Sequence, residues 1–233
     1  MAQPVCVVTG VGPGNGLSIS RKFAAEGYRV AMLARSAPKL AEYETSVPGS
    51  RGYPTDVGKT EDVRRTFANI RRDLGPVDVL VHNAGSGVFS DFLSTTPEEF
   101  EAAWRVNALG LLLCGQEAAR DMLSRDGGSV VVIGATASWR GGANFAAFAA
   151  AKAAQRSLAQ SMARSLGPKG IHVSYVVVDG VIDTPATRAF FPDRPDEFFL
   201  DPDEIAANVL HLVRQRKRAW TFELDLRPFA EKW

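Results

Sequence analysis

Val5-Cys6-Val7-Val8-Thr9-Gly10-Val11-Gly12-Pro13-Gly14-Asn15-Gly16 is the stretch whose reading decides the fold. A compact apolar run ends in a glycine-rich turn, and a helical pattern follows over residues 17–26. Glycine at Gly10, Gly12, Gly14 and Gly16 lets the main chain turn sharply and meet a phosphate with no Cβ between them. The free N–H groups at the start of the next helix then face the anion. A glycine-rich loop alone says little. One that follows a first strand, precedes a helix and opens a repeated strand–helix pattern reads as a dinucleotide cradle, with Pro13 and Asn15 inside it. The competing reading is a structural turn.

The same alternation continues along the chain. Apolar runs at 28–33, 77–81, 129–133 and 173–178, with a shorter one at 51–54, are separated mostly by amphipathic segments. Continuous β-branched runs suit strands covered on both faces, and repeated strand–helix–strand order implies right-handed crossovers and a parallel sheet. Residues 220–227 read as a last strand at a sheet edge or subunit contact. The expected fold is a single-domain α/β Rossmann-type unit over residues 1–233, a doubly wound parallel sheet with helices on both faces. Only residues 183–202 read as a sizeable loop. They hold four prolines and four phenylalanines, which fits either a substrate lid or a loop packed on the core, and leans towards a hydrophobic or aromatic small-molecule substrate.

Lys plus Arg number 27 and Asp plus Glu 26, a net charge of +1. That balance gives no reason to expect nucleic acid or an anionic membrane as a partner. No apolar run is long enough for a membrane span, and no basic segment precedes the first apolar run as in a signal peptide. Cys6 and Cys114 sit in apolar surroundings and read as buried thiols, so a cytoplasmic protein is expected. His82, His172 and His211 are not at metal-ligand spacing, so no metal site is assigned.

The second strand ends Met32-Leu33-Ala34-Arg35-Ser36. An NAD site usually carries a carboxylate there for the ribose 2′-hydroxyl, whereas an arginine fork suits the 2′-phosphate. NADP is therefore the preferred cofactor, with NAD possible and a solvated surface arginine as the alternative.

With these residues in hand, the chain resembles the short-chain dehydrogenase/reductase family over nearly its whole length. Thr9-Gly10-x-x-x-Gly14-x-Gly16 matches that family's cofactor motif. Asp56-Val57 matches its adenine contact, Asn83-Ala84-Gly85 its fourth-strand motif, and Asn107 its helix asparagine. Gly180, Ile182 and Thr184 fall where the family binds the nicotinamide end, with Asp179 in place of the usual proline. The resemblance also implies a homodimer or homotetramer, with helices in the regions 100–125 and 147–166 at an interface; the alanine-rich run 146–154 allows close approach.

The resemblance breaks at the chemistry. The family's Tyr-x-x-x-Lys is here Phe148-Ala149-Ala150-Ala151-Lys152, and the position of its serine, thirteen residues earlier, is Ala135. The spacing keeps Lys152 on the same helix face as Phe148, but a phenyl ring has no proton to give. A lost general acid costs roughly 10²–10⁴-fold in rate. Three readings follow. One is an NADP-dependent oxidoreductase with another donor: Lys152, relayed by ribose hydroxyls and water held near Asn107, supplies the proton, and Thr136 or Ser138 binds the substrate oxygen. The second is a cofactor-binding sensor, scaffold or partner subunit, and the third a lyase or isomerase. Thr136 and Ser138 also read as loop-capping residues. Tyr28, Tyr43, Tyr53 and Tyr175 fall in segments not expected to reach the nicotinamide.

Overall fold

The computed structural model describes residues 3–87 and 89–231. Strand β1 (Val5–Thr9) leads through the glycine turn into α1 (Asn15–Ala25). Then come β2 (Arg29–Ala34), α2 (Ala37–Ser46), β3 (Ser50–Pro54), α3 (Thr60–Asp73) and β4 (Val79–His82). Helix α4 (Pro97–Trp104) runs into α5 (Gly110–Leu123). After β5 (Gly128–Ile133), α6 (Ala146–Leu166) and β6 (Ile171–Val178) come β7 (Val181–Ile182), α7 (Pro185–Phe190), β8 (Phe199–Leu200), α8 (Pro202–Val213) and β9 (Glu223–Leu226). The main sheet has the order β3-β2-β1-β4-β5-β6-β9, every pair parallel. Strand β9 forms one edge and is shorter than the segment the sequence suggests, with Trp220 stacked on His172 at 4.8 Å instead of joining the ladder.

The alternation of side chains along β1 builds both halves of the core. Val5 and Val7 pack in the cluster that includes Phe67, Leu111, Ala159 and Tyr175. Cys6 and Val8 pack in the opposite one with Ile19, Phe23, Ile205 and Val209. Cys6 and Cys114 are buried free thiols on opposite faces of the sheet. Among the described residues no helix is long and apolar enough to cross a membrane.

Two departures from the sequence reading bear on the site. Residues 183–202 are not one irregular loop: α7 starts at a capping box between Thr184 and Thr187, and β8 pairs with β7. The box satisfies N–H groups that an isolated turn would leave bare. The region 100–125 is likewise not one uniform helix. Residues Arg105–Leu109 form a widened π turn, with the Gly110 N–H bonded to the Arg105 carbonyl five residues back. Such single-turn widening re-aims the backbone groups within it, and Asn107 lies at its centre.

Candidate functional site

The chain reverses its winding between β1 and β4, and a cavity of about 580 Å³ opens at the carboxyl ends of these strands. That is where open parallel sheets take ligands. Gly10, Gly12 and Pro13 line it from the first turn. Arg35, Asp56 and Val57 come from the ends of β2 and β3, and Asn83, Ala84 and Gly85 from the end of β4. Gly10 and Gly14 have φ of 68° and 103°, which L side chains rarely adopt. A Cβ on Gly12 would meet no protein atom within 4 Å, whereas one on Gly16 would lie 2.7 Å from Gly10 O and from Val11 Cα. The turn is thus packed hard on its protein side and open towards the cavity.

Thr9 fastens the two strand ends. Its Oγ1 accepts the N–H groups of Asn83 and Ala84, each at 3.1 Å, and Asn83 Nδ2 donates to Gly10 O at 2.9 Å. With both lone pairs used, the Thr9 hydroxyl donates to His82 Nδ1 at 3.2 Å, which puts the imidazole proton on Nε2. Burial, and then the charge of Lys152, lowers the His82 pKa to about 3, so the ring is a neutral strand-end packing group. Ser36 and Lys39 also line the cavity beside Arg35. The sequence reading missed both, although Ser36 caps α2 and Lys39 stands in its first turn.

Gly14, Asn15 and Gly16 lie outside this lining, where the turn becomes α1. Ile182 and Thr184 lie over the turn: a Cβ on Gly14 would be 2.7 Å from Thr184 Cγ2 and 3.6 Å from Ile182 Cγ2. Gly180 lies against Pro228 and Leu200.

Beneath Gly85 the reactive-end residues converge. Lys152 is 5% exposed, and burial lowers its pKa to about 7. Its Nζ donates to Ile133 O at 2.9 Å and to Gln155 Oε1 at 3.1 Å. Gln155 Nε2 donates in turn to the carbonyl of Asn107 at 3.0 Å. Asn107 Nδ2 donates to Ala103 O at 2.9 Å, while its Oδ1 is buried with no partner among the described residues. The Gln155 side-chain amide thus joins this carbonyl to Lys152. Gln155 was legible only as a polar residue in an alanine-rich helix, three positions after Lys152.

The two expected oxygen-binding hydroxyls stand in the turn after β5. Thr136 Oγ1 donates to Asp179 Oδ1, and Arg227 pairs with Asp179 Oδ2 at 3.2 Å. Ser138 Oγ is enclosed in the 3-10 turn Thr136–Ser138 and has no hydrogen-bond partner among the described residues. The short turn after β5 directs the Thr136 hydroxyl to a carboxylate and folds Ser138 inward. Ala135 is extended, at the start of that turn. Phe148 lies in an aromatic cluster, its ring centroid 5.6 Å from Phe89 and 6.3 Å from Phe145. Tyr175 is fully buried, yet its hydroxyl donates to Lys152 O at 3.5 Å. Burial pushes that phenol up to about 12, against the partly offsetting contact with Ser138.

A family model described as short chain dehydrogenase matches residues 4–195. The 3-oxoacyl-[acyl-carrier-protein] reductase MabA of Mycobacterium bovis is 36% identical over 185 residues, 78% of this chain and 71% of that protein. A crystal structure of a short-chain dehydrogenase from Rhodopseudomonas palustris superposes with a TM-score of 0.82 at 34% identity, covering 97% of this chain and 99% of the other. An alcohol dehydrogenase from the archaeon Thermococcus sibiricus, solved with 5-hydroxy-NADP, gives a TM-score of 0.88 at 26% identity over 99% and 98% of the two chains. With the parallel sheet and the glycine cradle, these matches make the chain a member of the short-chain dehydrogenase family of oxidoreductases.

Proposed function

We propose that the protein is an NADP(H)-dependent oxidoreductase acting between a carbonyl and an alcohol, with Lys152 as its proton donor. The observation that carries this reading is the buried Lys152, poised near pH 7, beside Asn107 at the foot of the glycine-lined cavity. The residues present fit a dinucleotide: the Gly12 side of the turn is open, and Asn107 Oδ1 is a buried acceptor without a partner among the described residues. Gly10 to Gly16 would hold the pyrophosphate, Asp56 and Val57 the adenine, and Asn83, Ala84 and Gly85 the neighbouring ribose. Lys152, Gly180, Ile182 and Thr184 would hold the nicotinamide end. Arg35, joined by Lys39 and Ser36, would take a 2′-phosphate, which favours NADP over NAD; the Thermococcus enzyme was solved with an NADP derivative.

When bound, the nicotinamide supplies or accepts a hydride. Lys152 holds a proton at Nζ, and a donor with a pKa near the working pH suits general acid catalysis. Phe89, Phe145 and Phe148 form an apolar wall that favours a hydrophobic or aromatic substrate. Segment 183–202 would cover the substrate, with Phe190 exposed on it. Exposed Phe100, Trp104 and Leu112 on α4 and α5 suit a homodimer or homotetramer contact.

A second reading, a cofactor-binding protein without turnover, is favoured by Thr136 being committed to Asp179 and by the lack of a hydroxyl at Ala135 and Phe148. Fluorescence titration with NADPH and NADH, then a panel of aromatic and aliphatic carbonyls followed by NADPH absorbance, separates the two. Turnover abolished by Lys152→Met supports the first reading, and turnover untouched by it removes Lys152 as donor. Binding without turnover, with activity gained by Ala135→Ser combined with Phe148→Tyr, supports the second.

A further inference from the structure

Gln155 is fully enclosed on α6, and both ends of its carboxamide are used. A buried amide is costly unless paired in this way. We infer that Gln155 is a positioning residue for Lys152: it ties the lysine nitrogen to the Asn107 turn and decides what that nitrogen offers a ligand. An ammonium group has three N–H donors. Ile133 O takes one at 2.9 Å and Gln155 Oε1 a second at 3.1 Å, so the charged form keeps one N–H for a ligand. The neutral amine has two, both committed, and presents only its lone pair. Gln155 therefore makes protonation a switch between donor and acceptor. Without it, the neutral amine would keep a donor.

The switch lies against Gly85, a residue of the cavity lining. A Cβ on Gly85, which lines the cavity, would lie 3.6 Å from Lys152 Nζ and 3.4 Å from Asn107 Oδ1. The ligand end of this argument rests on the proposed dinucleotide reading. The bridge itself does not.

The groups around Lys152 leave its titration isolated. From β4, His82 stays neutral down to about pH 3. From β6, Tyr175 stays protonated up to about pH 12. Arg156, the next charged residue on α6, is turned to Glu223 of β9 at 2.5 Å. The π turn contributes the amide of Asn107. Burial is the one cause acting on the Lys152 pKa.

The test is an NMR titration of the ligand-free protein labelled with ¹³C at the lysine ε-carbon, the Lys152 signal being assigned by its loss in Lys152→Met. NADPH affinity is measured by fluorescence across the same pH range. Gln155→Leu removes a charge-stabilising acceptor and is expected to lower the Lys152 midpoint by about one unit. Gln155→Glu sets a carboxylate beside the nitrogen and is expected to raise it by about one unit or more. The pH at which NADPH binding weakens should move in the same direction in each variant. Midpoints unchanged in both variants, even with a lowered Tm, would overturn the inference by reducing Gln155 to a structural amide. If Gln155→Leu does not fold, Gln155→Glu decides alone. Shifted midpoints in a protein that binds neither nucleotide would support the positioning role and sink the cofactor reading instead.

Discussion

Two alanine substitutions in one turn should part stability from binding. At Gly12 an added Cβ meets no protein atom within 4 Å, and the residue is not among those with positive φ. Gly12→Ala should therefore leave the ligand-free fold intact or raise its stability by about 0.4–1 kcal/mol, through a less flexible unfolded chain. At about 2–4 °C per kcal/mol for a chain of this size, Tm rises by a few degrees at most. The space the methyl fills is the space assigned to the pyrophosphate. Crowding of that order costs about 1–3 kcal/mol, or roughly 5–150-fold in NADPH affinity. Gly16→Ala is the opposite case. Its Cβ would lie 2.7 Å from both Gly10 O and Val11 Cα, main-chain atoms held by Asn83 Nδ2 and by the bond from Val11 N to Leu33 O. The same overpacking cost, partly offset by the better helix propensity of alanine, falls on the fold, so Tm should drop by several degrees. Differential scanning fluorimetry and NADPH fluorescence titration read the two effects. Undiminished NADPH affinity in Gly12→Ala, or a similar loss of Tm in both variants, would refute the assignment of the turn as a phosphate cradle.

Arg35→Ala should weaken NADPH binding by about 10–100-fold and NADH binding little, because a charge-assisted bond to the 2′-phosphate is all that is removed; equal loss for both nucleotides would reject that role. His82 imposes a pH dependence of calculable sign. Its folded pKa of about 3 lies below its ordinary 6.5, so the unfolded chain binds the proton first. The contribution is fully present above about pH 6.5 and is lost at about 1.4 kcal/mol per pH unit as pH falls towards 3. In His82→Asn, which keeps an acceptor for Thr9, urea unfolding across this range should show a shallower slope, and an identical slope would mean that His82 is protonated in the native protein.

The sequence by itself determined the doubly wound sheet, because unbroken β-branched runs and a glycine turn between strand and helix are local patterns with few alternative packings. It also determined which residues come to the switch point. Gly10, Gly12, Arg35, Asp56 and Asn83 all stand at strand ends, and parallel strands in register carry their ends to one edge. Tertiary structure alone decided what the reactive-end polar groups do. Thr136 and Ser138 have short side chains whose direction depends on a short turn after β5, and that turn gives one to Asp179 and buries the other. Tyr175 stands on a strand not expected to reach the nicotinamide, and packing turns its hydroxyl to the Lys152 main-chain carbonyl. The link between Gln155 and Asn107 joins residues 48 apart and exists only because the π turn brings a carbonyl to α6. Periodicity and motif spacing fix where backbones run. Which buried donor meets which acceptor is settled only when helices pack and every enclosed polar atom competes for a partner.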